Sequence, residues 1–177
     1  METMMMLPFL LALAQTTPVA PLPFLLALAQ TTPVAPLPRA TPLPPPTSEE
    51  GQVMAPVTAI LKALETNNGG AVLAATRPEG VVAVALEAPD GRRGVRHLSW
   101  SDFASRLKPD GNRYEERLFD PAIEIDGDVA FVWARYTVMK NGAPEHCGYD
   151  LFDLVREGGA WKVLNVTWSQ RTTGCQG

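Results

Sequence analysis

The sequence predicts an α+β domain in which N-terminal helices pack on one face of a curved antiparallel sheet. Three observations carry that expectation. Apolar residues recur at helical spacing as far as Leu107, whereas from Tyr114 onward the chain reads as long strands. Those strands are punctuated by Asp126-Gly127, Asn141-Gly142 and Gly158-Gly159, which are hairpin signals. The chain has 177 residues, so about 125 remain for one core-forming domain once the proline-rich start is set aside.

The first helix is expected after Thr47-Ser48-Glu49-Glu50, which has the form of a capping box with Thr47 as cap. Val53, Val57, Ile60, Leu61 and Leu64 form its apolar stripe, and Asn67-Asn68-Gly69-Gly70 ends it. A short helix follows over Ala71–Thr76, then a strand over Val81–Glu87 and a turn at Ala88-Pro89-Asp90-Gly91. Ser99-Trp100-Ser101-Asp102 opens a third helix with Trp100, Phe103, Ala104 and Leu107 on one side. His97 lies in a stretch flanked by Arg92, Arg93 and Arg96, and reads either as part of a solvated strand or as a group near the pocket mouth.

The segment before the domain divides in two. Residues 1–29 read as a duplicated export leader, because Leu7–Pro21 is repeated letter for letter as Leu22–Pro36. Each copy ends its apolar run in Ala-Leu-Ala, at Ala12–Ala14 and Ala27–Ala29, the small-residue pattern a signal peptidase cuts. Cleavage after Ala14 or after Ala29 both fit, and the usual basic residue near the start is missing. A misplaced start or a recent in-frame duplication is the alternative origin of the repeat. Residues 30–47, rich in Pro and Thr, read as a spacer. The domain then occupies residues 48–177, and the expected location is periplasmic or secreted.

Composition excludes several classes of partner. With 15 basic and 19 acidic residues the net charge is −4, which gives no electrostatic reason to expect nucleic acid. Prolines interrupt the apolar N-terminal run, so no membrane span is expected. No phosphate loop, nucleophile elbow or metal-ligand spacing occurs, so no cofactor and no metal are expected.

The runs "DVAFVWARYTVMKNG" and "EHCGYDLFDLVREGGAWKVLNVTWSQRTTGC" resemble the nuclear transport factor 2-like superfamily, in its SnoaL-like or lumazine-binding branch of small bacterial proteins. The resemblance covers about Val53 to Cys175. It implies a cone-shaped, cystatin-like fold with an internal pocket, often dimeric through the outer sheet face, and it implies no single reaction.

Two-residue hairpin turns would pair Lys140 with Ala143 and Glu157 with Ala160. Carried along the strands, that register sets Trp133 opposite Asp150 and Asp150 opposite Thr167. One face then holds Phe131, Trp133, Arg135, Thr137, His146, Asp150, Phe152, Asn165 and Thr167, the expected pocket face. Phe131, Trp133, Phe152, Asn165 and Thr167 are the candidate ligand-binding residues. Asp150 is the candidate general base, with His146 and Arg135 placed to orient a ligand or stabilise an anion. An exposed Arg135–Asp150 ion pair is the competing reading. A slip of one residue in either hairpin would exchange the faces of a strand.

Cys147 and Cys175 are the only cysteines. The same register sets Cys147 opposite Gln170, so "RTTG" must fold back for a disulfide to form. The alternative is a buried Cys147 and a free Cys175. Three functions remain open: an exported pocket protein for an apolar or aromatic small molecule, an isomerase, dehydratase or hydrolase with Asp150 as base, or a dimerisation or protein-interaction module.

Overall fold

The computed structural model describes Pro45 and residues 48–176, so the repeat, the leader and most of the spacer lie outside the described residues. Helix α1 spans Glu49–Glu65. Its N-cap is Ser48, one residue later than the capping-box pattern suggested; the Ser48 side chain accepts from the Gly51 backbone N–H. Helix α2 covers Gly69–Ala75 behind an Asn68 cap, and α3 covers Trp100–Ser105 behind a Ser99 cap. The strands are β1 (Val81–Glu87), β2 (Arg93–Ser99), β3 (Tyr114–Asp126), β4 (Val129–Lys140), β5 (Ala143–Glu157) and β6 (Ala160–Gln170).

All six form one sheet in the order β2-β1-β6-β5-β4-β3. Only the β1–β6 pairing is parallel, which is how the N-terminal hairpin joins the far edge of the later meander. His97 is exposed on the edge strand β2 and does not line the cavity described below.

Both two-residue turns form as expected, with Lys140 opposite Ala143 and Glu157 opposite Ala160. The register beyond them does not persist. On β5, Val138 pairs with His146 but Met139 pairs with Pro144, which leaves Glu145 as an extra residue. On β6, Asp153 pairs with Asn165 but Leu154 pairs with Val163, so Leu164 is extra. Each bulge shifts the pairing by one residue and bends the sheet. Asp150 therefore sits between Ala134 and Trp168, not between Trp133 and Thr167.

The bulges have local causes. Pro144 lacks the N–H that a regular ladder would use. The Leu164 carbonyl accepts from Trp100 Nε1 at 2.8 Å, above Gly80, where a Cβ would lie 1.6 Å from that same oxygen. A third irregularity interrupts β3 between Phe119 and Ala122, with Asp120 at φ 50° before Pro121.

The helices cover the inner face. Val53, Val57 and Ile60 of α1, Val72 of α2 and Trp100 of α3 meet Ala130, Val132, Phe152, Leu154, Val163 and Val166 in one buried core. Each of the large side chains contributes about 1.5–3 kcal/mol by leaving water.

Cys147 and Cys175 lie at disulfide distance with Cα atoms 5.5 Å apart. Cys147 pairs with Arg171 rather than Gln170, again one residue displaced. The returning tail lies on the outer face, where Thr137 Oγ1 donates to the Gln176 carbonyl at 2.8 Å. Among the described residues no helix is long and apolar enough to cross a membrane.

Candidate functional site

A cavity of 390 Å³ opens between the helices and the inner face of the sheet. This size suits a small organic molecule. Ile60 and Leu64 come from α1, Trp100 and Phe103 from α3, and Tyr136, Phe152 and Trp168 from β4, β5 and β6. Phe103 stands edge-on between Trp100 and Trp168, with ring centroids 5.9 Å and 6.2 Å away, so three aromatic rings form one wall.

Two carboxylic acids meet at the cavity. Asp150 is 3 % exposed, and its Oδ2 is buried with no hydrogen-bond donor. Glu116, on β3 opposite Val138, lies close enough for each acid to influence the other's protonation. Two neighbouring carboxylates repel when both are ionised, which favours protonation of the pair. Burial is the larger cause that raises Asp150 well above the ordinary carboxylate range, and the Glu116 charge adds to it. Burial likewise raises Glu116, although the hydrogen bond from Asp150 opposes the shift.

Tyr136 is 1 % exposed, and its hydroxyl donates to the Ser169 carbonyl at 3.0 Å. Burial and the neighbouring acids push its phenol upward, so it stays protonated. His146 stands edge-on to Tyr136 with centroids 5.8 Å apart. Burial holds its imidazole below the ordinary value, only partly offset by Glu145, which favours the neutral ring. At this level the strands approach closely: a Cβ on Gly148 would lie 1.8 Å from the Ser169 oxygen.

The sequence-predicted site residues divide between the two faces. Asp150, His146 and Phe152 line the cavity. Phe131, Trp133, Arg135, Asn165 and Thr167 do not; the bulges turn them to the outer face, which corrects the expected grouping. Phe131 is 41 % and Trp133 is 45 % exposed. Trp133 stacks on Tyr149 at 5.1 Å, and the Arg135 guanidinium lies 4.2 Å above the Phe119 ring. Arg135 is therefore neither an ion-pair partner of Asp150 nor a lining group of the cavity. Asn165 accepts from the Val81 backbone N–H at 2.9 Å, a structural role at the β1–β6 junction, and Thr167 is exposed.

Glu116, Tyr136 and Trp168 were not anticipated as site residues. Glu116 had a signal: it is the charged residue between Tyr114 and Leu118 in the row of β3 whose Leu118, Ile123 and Ile125 pack on the core. The bulge at Asp120-Pro121 interrupts that row and obscures its alternation.

No protein-family model matches the sequence, and no curated protein matches it. Solved structures do resemble the fold. A protein of unknown function with a cystatin-like fold from Nostoc punctiforme is 13% identical, with a TM-score of 0.53 over 76% of this chain and 96% of the other. A nuclear transport factor 2-like protein from Cytophaga hutchinsonii is 12% identical, with a TM-score of 0.54 over 70% of this chain and 99% of the other. A candidate dehydratase of the nuclear transport factor 2-like family from Streptomyces avermitilis is 17% identical, with a TM-score of 0.52 over 68% and 94%. With its helices followed by a curved six-stranded sheet, the chain has the nuclear transport factor 2-like, cystatin-like cone fold.

Proposed function

We propose that this chain is an exported binding protein for a small molecule with an apolar or aromatic body and a polar group that meets Asp150 and Glu116. The observation that carries the reading is a buried carboxyl without a donor at an aromatic-walled cavity of 390 Å³. A buried polar group left unsatisfied is costly, and a ligand that supplies its partner recovers that cost. Export is supported by the disulfide-distance cysteine pair, which suits an oxidising compartment, and by the Ala-Leu-Ala sites of the leader.

Thermal-shift measurements with a panel of aromatic and terpenoid compounds test the proposal. A ligand at about 100 times its Kd stabilises the protein by about 2.7 kcal/mol, a shift of several degrees. Trp168→Ala, inside the cavity, is expected to reduce the shift, and Trp133→Ala, on the outer face, to leave it intact. Loss of the shift only with Trp133→Ala, or no shift with any compound, would refute the reading.

The buried acid pair also supports an acid–base enzyme of the isomerase, dehydratase or hydrolase type, with Asp150 moving the proton and neutral His146 beside it. On that reading Asp150→Asn abolishes turnover while ligand-induced stabilisation remains. The exposed Phe131 and Trp133 support homodimerisation through the outer face. Light scattering should then give a concentration-dependent mass that Trp133→Glu lowers to the monomer's.

A further inference from the structure

We infer that the cavity selects an organic cation, an amine with an apolar or aromatic body, whose ammonium group binds between Asp150 and Glu116. This rests on the pocket reading above and names the chemical class of its ligand.

The argument begins with what the two acids lack. Neither has an ion-pair partner among the described residues, whereas Glu115 and Glu145 on the same two strands do. Glu115 is paired with Arg117 at 2.7 Å, and Glu145 with Lys140 at 3.1 Å. Asp150 is nonetheless 3 % exposed, and its Oδ2 has no donor. Burial disfavours ionisation of both acids, and an ammonium group between them supplies the counter-charge that the described residues do not.

The walls complement a cation in a second way. Their aromatic groups have already committed their own donors elsewhere: Tyr136 to Ser169 O at 3.0 Å, Trp100 to Leu164 O at 2.8 Å, and Trp168 to Gln170 Oε1 at 3.3 Å. They therefore line the cavity without a free donor of their own. Trp100, Phe103 and Trp168 thus offer the ring faces and edges that accommodate an alkylammonium or aryl body, while the acids accept its N–H groups. A ligand that only accepts hydrogen bonds, such as a carboxylate, would meet a like charge.

Among the described residues no cation is ion-paired with either acid, although Arg106 and Lys108 line the cavity and the charge of Arg171 is felt at Tyr136. His146 of β5 is held towards its neutral form, and Tyr136 of β4 keeps its proton. From the helical side come Glu65 of α1, which Lys62 pairs at 2.8 Å, and Arg106 and Lys108, which are exposed after α3. Asp110 and Tyr114 hydrogen-bond to each other at 3.0 Å at the mouth. Glu115 and Glu116 complete the set on β3.

Binding a cation displaces a proton held by the pair. The ammonium N–H groups donate to the carboxylate oxygens, both acids become ionised, and the proton leaves to the buffer. Up to one proton is released for each amine bound.

Calorimetric titration with naphthylethylamine and with its isosteric neutral alcohol, naphthylethanol, tests this on the full chain. At about pH 7 the amine, almost wholly protonated, is expected to bind at least about tenfold tighter than the alcohol. Its binding enthalpy should differ between Tris and phosphate, whose ionisation enthalpies differ, because of the released proton. Glu116→Gln and Asp150→Asn should each reduce the preference to less than about threefold while the alcohol still binds. The buffer dependence is read on the unmodified protein, so the test stands even if a variant fails to fold. Equal binding of both compounds without proton release would overturn the cation and leave the pocket reading in place. Binding of neither compound at millimolar concentration would overturn both.

Discussion

Gly148→Ala should be among the most damaging single-methyl additions in this protein. A Cβ at position 148 would lie 1.8 Å from Ser169 O and 2.7 Å from Ser169 Oγ, against at least 3.4 Å for ordinary contact. The obstacle is backbone, so β6 must move by about 1.6 Å at this level. Displacing a well-packed element to admit a methyl group costs about 1–3 kcal/mol. Two hydrogen bonds are also at risk, because Tyr136 Oη donates to Ser169 O and the Tyr149 N–H donates to Ser169 Oγ, both at 3.0 Å. At about 1 kcal/mol for each bond, the total is about 3–5 kcal/mol. For a domain of this size that lowers the melting temperature by about 10–20 °C. Gly142→Ala is the control: its φ is +86°, nothing lies within 4 Å of its Cβ position, and only backbone strain of about 1–2 kcal/mol is expected. Circular dichroism melts of the two variants compare them directly. A Gly148→Ala melt within about 2 °C of wild type would show that the β5–β6 approach is looser than described and that the Ser169 hub does not hold Tyr136.

Asp150→Asn should change how stability depends on pH. Because the folded pKa of Asp150 is raised above its unfolded value, the folded state binds more protons, so wild-type stability falls as pH rises from about 4 towards that folded value. The amide does not titrate, so the variant should gain on wild type between acid and neutral pH in melts across that range; parallel curves would contradict the shift. Reduction of Cys147–Cys175 should lower stability by about 3–4 kcal/mol in the loop-entropy account, measurable by urea unfolding with and without reductant. Two alkylatable thiols in the unreduced protein would refute the bond. Trp100→Phe replaces the buried indole by a smaller phenyl ring and removes the Nε1 donor from Leu164 O, which alone should cost about 1–3 kcal/mol by thermal melt.

The helix and strand order was legible because its signals are local. Ser99 as cap, the Val81–Glu87 strand and the three hairpin turns all depend on neighbouring residues, and each forms where its pattern lies. The faces were less legible, because register accumulates along a strand. On β4 both rows are apolar, Phe131 and Trp133 on one and Val132, Ala134 and Tyr136 on the other, so composition does not separate inside from outside. The β6 bulge did leave a trace. Trp161, Val163, Val166 and Trp168 are spaced by two, three and two, and one extra residue within the strand makes that interval of three. Asp150 lies at the cavity on the inner alternation of β5, whereas its companionship with Glu116 is a long-range juxtaposition across β4: the alternation of β3 hints at the face of Glu116 but not at its partner.

The tail that returns across the sheet divides the outer surface into two zones. Thr137 and Met139 are 1 % and 5 % exposed, whereas Phe131 and Trp133 on the same strand stand open. The link between Cys147 and Cys175 keeps the cover over its end of the sheet. Without that link, the described contacts that hold the cover are the Cys147–Arg171 bridge, the Thr137 hydrogen bond and the contact of Cys175 Sγ with Arg171 O. Lifting it would uncover Thr137 and lengthen the open strip that begins at Phe131 and Trp133. Recombinant material made without oxidation is therefore expected to aggregate more readily than the oxidised protein.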